Sequence, residues 1–128
     1  MQRLTLETLV AEDVFWLRKA LKKDYHELTE TDILDRLEKE FDLWRLDSGI
    51  VVTSIISHLH GRELFLSHIA GERVLEHIPE INKVLEEYGI KRSCRWYAAF
   101  LVRKGLFSFG ANAGEEVGRL YKKDLRKD

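Results

Sequence analysis

Apolar and polar positions along the chain change period several times, and each change marks an element. Arg3-Leu4-Thr5-Leu6 alternates and predicts a short first strand. From about Leu9 the spacing turns helical, with Val10, Val14, Leu17 and Leu21 on one stripe. A second helix is predicted from the threonine cap in Thr29-Glu30-Thr31-Asp32. Its apolar face is Ile33, Leu34, Leu37 and Phe41, and its wet side is Asp35, Arg36, Glu38, Lys39 and Glu40. Three antiparallel strands are then expected over 42–70. They are Leu43 to Asp47, a β-branched run from Ile50 to Leu59 that is apolar on both faces, and Glu63 to Ala70 after a turn at Gly61-Arg62. Helical spacing returns with Ile78, Ile81, Val84, Leu85 and Tyr88, placing Pro79 in the first turn and Gly89 at the stop. A brief strand over Ile90 to Cys94 would close a right-handed parallel crossover. A short helix is expected next, with Trp96, Phe100 and Leu101 on one side, Arg103-Lys104 in its last turn and Gly105 ending it. Leu106 to Phe109, a Gly-rich loop, and Val117 to Leu125 predict a terminal hairpin.

Composition narrows the class. The chain has 128 residues, 45% of them apolar and 10% aromatic, enough for a core and against wholesale disorder. One domain spanning 1–128 is the expectation. Cys94 is the single cysteine, which excludes an intramolecular disulfide and a cysteine-based zinc site. No stretch approaches the roughly 18 apolar residues of a membrane-spanning helix. The opening MQRLTLETLVAED is too acidic and too weakly apolar for a signal peptide, so a cytoplasmic or virion-enclosed protein is expected. High charge with one Gln, two Asn, one Cys and one Met is a pattern reported for proteins from hot environments, and in so short a chain also arises by chance.

The net charge of -1 hides a segregation. Residues 1–47 carry 8 basic and 12 acidic side chains, a net of -4, while 91–127 carry 10 and 3, a net of +7. The basic run of Lys91, Arg92, Arg95, Arg103, Lys104, Arg119, Lys122, Lys123, Arg126 and Lys127 is interleaved with Trp96, Tyr97 and Tyr121. Such a mixture suits single-stranded nucleic acid or a phosphate-rich ligand. The rings lie at helical or alternating spacing, however, which favours core positions. A solvated or protein-contacting face, docking against the acidic helices of a neighbouring copy, is therefore the preferred reading.

The predicted order is strand, two helices, three-strand meander, helix, strand, helix, hairpin. This order resembles the GNAT superfamily of N-acetyltransferases, and within it small acetyltransferase-like proteins of tailed phages. The resemblance spans nearly the whole chain. It rests on that order and on the stretches LWRLDSGIVVTSIISHLHGRELFLSHIAG, EEYGIKR, the following Arg95-Trp96, and VGRLYKKDL. It implies a mixed α/β fold, with a mostly antiparallel sheet and helices on both faces. It also implies an acetyl-CoA pyrophosphate site on a Gln/Arg-x-x-Gly-x-Gly/Ala loop between the fourth strand and the next helix. The segment here is Ala70-Gly71-Glu72-Arg73-Val74-Leu75-Glu76-His77-Ile78-Pro79. It has one glycine, two carboxylates that repel a pyrophosphate, and Pro79 where an N–H is wanted, leaving Gly71 and Arg73 as the cofactor candidates. The family's general acid, a tyrosine four residues before the glycine ending the later helix, falls on Leu101, which cannot move a proton.

Two other constellations bear chemistry. His58 and His60 are two apart on a predicted strand, and a Gly61-Arg62 turn would pair Glu63 with His60, giving a zinc- or iron-ligating trio. A solvated hairpin tip is the alternative. Cys94, between Arg92 and Arg95 near a predicted helix start, has the setting of a lowered thiol pKa, whereas free cysteines are more often buried small hydrophobes. Gly110-Ala-Asn-Ala-Gly114 lacks a following Lys-Ser/Thr and predicts a hairpin loop, not a phosphate loop. The leading expectation is a degenerate acetyltransferase-fold phage protein without a cofactor, acting in binding or assembly on a protein partner or itself, with Lys91, Arg92, Arg95, Arg119, Lys122 and Lys123 on the contact surface. The alternatives are an acetyl-CoA-dependent N-acetyltransferase and a nucleic-acid-binding module.

Overall fold

The computed structural model describes residues 1–22, 28–100, 115–117 and 120–126. Its elements run β1 (Gln2–Arg3), α1 (Ala11–Leu21), α2 (Glu30–Asp35), β2 (Phe41–Leu46), β3 (Gly49–His58), β4 (Gly61–Gly71), α3 (Val74–Lys91), β5 (Trp96–Phe100), β6 (Glu115–Val117) and β7 (Leu120–Asp124). The strands form a sheet of order β1-β2-β3-β4-β5-β7-β6. β2 pairs antiparallel with β1 and β3, while β5 is parallel to β4 and antiparallel to β7. The fold is a mixed α+β one with a mostly antiparallel sheet, as expected. Among the described residues no helix is long and apolar enough to cross a membrane.

The chain divides into two compact units: Met1–Ser54 with Ser67–Val74, and Ile55–Leu66 with Leu75–Asp128. In the first, Leu17 and Ala20 of α1 and Ile33 of α2 join Leu4, Leu37, Leu43, Ile50 and Val52 in one buried cluster. Asp13 ties α1 to β2. Its carboxylate accepts from the Val10 N–H (3.0 Å) and from Arg45 Nε (2.9 Å) and Nη2 (2.6 Å), so one side chain closes the helix start and anchors a strand.

The second helix is shorter than predicted. Thr29 and Asp32 make a reciprocal cap, with Asp32 N–H donating to Thr29 Oγ1 (3.2 Å) and Thr29 N–H to Asp32 Oδ2 (2.8 Å). The helix then ends at Asp35, because Glu38 turns left-handed at φ 69° and its N–H donates to Phe41 O (2.8 Å). Phe41 thus opens β2 and is not on the helix face.

In the second unit Ile78, Ile81 and Leu85 of α3 are buried, as are Leu64 and Leu66 of β4 and Tyr97, Ala98 and Ala99 of β5. Three expectations change here. The helix starts at Val74 and runs through Gly89 to Lys91, which puts Pro79 in the helix interior. Gly89 is needed for closeness: a Cβ there would lie 2.8 Å from Leu125 Cδ1. Residues 90–94 form no strand, and 96–100 form β5 in place of the predicted helix. The β4–α3–β5 crossover stands, moved along the chain, with the register running from Glu63↔Trp96 to Leu66↔Ala99. Trp-Tyr-Ala-Ala-Phe is a short apolar run whose period does not separate strand from helix, and tertiary burial decides it. The closing hairpin is β6–β7. The predicted strand at 106–109 and the loop Gly110–Gly114 lie outside the described residues.

Candidate functional site

The first candidate is the β4–α3 connection, where the sequence places Gly71 and Arg73. β4 ends at Gly71 against the β2–β3 turn, and a Cβ on Gly71 would sit 2.7 Å from both Gly49 Cα and Ser48 O. Glu72 N–H donates to Ser48 O at 2.8 Å. The freedom of this glycine is therefore spent on backbone packing within the fold, and one loop donor is already used. Arg73 has φ 54° and is exposed, as is Glu72. Glu76 adds a second carboxylate in the first turn of α3. The expectation about Pro79 is corrected: with α3 starting at Val74, the missing N–H belongs to the second turn, not to the first-turn donors that would face an anion.

The family's general acid is not located by the described residues. Its placement at Leu101 assumed a helix through Trp96 to Lys104, and 96–100 is a strand. Leu101 itself lies outside the described residues. Tyr97 is fully buried and donates its hydroxyl to Asn82 Oδ1 (3.0 Å), a bond that fastens β5 to α3.

The second candidate is the cluster around Glu63. The hairpin turn falls at Leu59-His60 rather than Gly61-Arg62, so His60 sits in the turn and β4 begins at Gly61. His58 Nε2 and Glu63 Oε2 lie 3.3 Å apart, so Glu63 meets His58, whereas the expected turn paired it with His60. The His60 carbonyl instead accepts from Arg95 Nη1 (3.4 Å). Among the described residues no three His, Cys, Asp or Glu side chains converge as metal ligands. The third neighbour of Glu63 is Lys122, with Nζ 3.9 Å from Oε1. Trp96 completes the group: Lys122 Nζ and Arg95 Cζ each lie 4.5 Å from its ring centroid, and the His58 ring meets it edge-on at 6.0 Å. Glu63 is only 6% exposed. A buried carboxylate held by a lysine and a histidine beside a tryptophan makes a fastening across β3, β4, β5 and β7.

The basic residues sort by partner. Lys123 Nζ reaches Glu86 Oε1 at 2.5 Å, and Arg95 Nε lies 3.7 Å from Asp124 Oδ2, which Arg126 also holds at 3.1 Å. Those Arg126 hydrogen bonds keep the Asp124 carboxyl below its ordinary pKa range. Arg92 donates to the Tyr88 hydroxyl (2.6 Å) and stacks over its ring. Arg119 lies outside the described residues. Cys94 is buried in the loop before β5. Burial pushes its thiol pKa up despite Arg62 and Arg92 nearby, which favours the buried small hydrophobe of the two readings over the reactive thiol.

The strand order with its β4–α3–β5 crossover invites comparison with known folds. A chain of the AtaT-AtaR complex bound to DNA superposes at a TM-score of 0.54, covering 98% of this chain and 95% of that one, at 11% identity. The chain has a GNAT-like fold. At that identity the likeness speaks for the fold alone. No protein-family model and no curated protein sequence matches.

Proposed function

We propose that this acetyltransferase-fold chain works by contacting another macromolecule rather than by transferring an acetyl group, as a phage-encoded assembly or host-interaction component. The observation that carries the reading is the β4–α3 connection. Gly71 is pressed on Ser48 and Gly49, Glu72 gives its N–H to Ser48 O, and Glu72 and Glu76 add negative charge where a pyrophosphate would need donors and cations. Arg73 is the one cation of that connection. The phage assignment rests on the sequence resemblance described above. Protein contact is further supported by the polarity of the chain. Counted over the whole sequence, the first compact unit carries 9 basic and 13 acidic residues, the second 12 and 9, giving -4 and +3.

The test is equilibrium titration with acetyl-CoA by calorimetry, on the wild type and on Arg73→Ala. No saturable heat in either is the expected result. Saturable binding that Arg73→Ala weakens would return the chain to the acyltransferases.

A further inference from the structure

We draw no further inference here: the strongest candidate, the His58–Glu63–Trp96–Lys122 side-chain cluster on β3, β4, β5 and β7 of the second unit, belongs to the site already described, where its charges meet one another as a fastening between strands.

Discussion

Asp13 joins two elements of the first unit. It is 2% exposed, caps α1 through Val10 and holds Arg45 on β2. Burial pulls its pKa up, but the hydrogen bonds from Arg45 and Val10 and the Arg45 charge outweigh that and hold the carboxyl below its ordinary value of 3.8. A depressed folded pKa means stability that is complete above the ordinary carboxylate range and lost as pH falls through the lowered value. Asp13→Asn is expected to cost about 1–3 kcal/mol at neutral pH, discounted for the partly exposed Arg45, and to flatten the fall of stability below about pH 4. Urea melts from pH 7 downward check both. At Gly71 the constraint is steric. Gly71→Ala brings a Cβ against backbone at 2.7 Å and should lower stability by about 1–3 kcal/mol in the same assay. Cys94 should alkylate with iodoacetamide far more slowly in the native protein than in urea, since it is buried with a raised thiol pKa.

Among the elements, α3 shows where sequence pattern succeeds and fails. Its apolar stripe of Ile78, Ile81 and Leu85 is legible and buried. Its start is not, because Val74 to His77 belongs to the helix while Pro79 looks like a first-turn residue. The exposed Pro79 leaves the Leu75 carbonyl without its ordinary i+4 donor, so Pro79→Ala should stabilise by about 1 kcal/mol or more, seen as a higher calorimetric Tm. β5 was hidden for another reason. Trp96 to Phe100 carries two alanines, and the pairings with β4 and β7, together with the burial of Tyr97, Ala98 and Ala99, make it a strand. The meander was readable because Ile50 to Ile56 is β-branched at every position but Ser54, but its turn slipped by two residues. That slip moves His60 into the turn and dissolves the metal trio. The Glu63–Lys122 and Glu86–Lys123 contacts join positions far apart in sequence, so no local pattern could announce them.

At the scale of the molecule, the near-neutral sum divides into an acidic unit and a basic unit, and the basic surface is partly spent on internal pairs. The sheet has a GNAT-like strand order, and the β4–α3 connection is closed on the β2–β3 turn. Topology was legible from the order of elements; the closure was not, because it depends on Gly49 and Gly71 meeting across the sheet. The central claim is tested most directly by thermal unfolding with and without millimolar acetyl-CoA. A ligand at 100 times its Kd adds about 2.7 kcal/mol, a shift no melting scan would miss. The account predicts superimposable transitions; a clear rise in Tm with acetyl-CoA would contradict it.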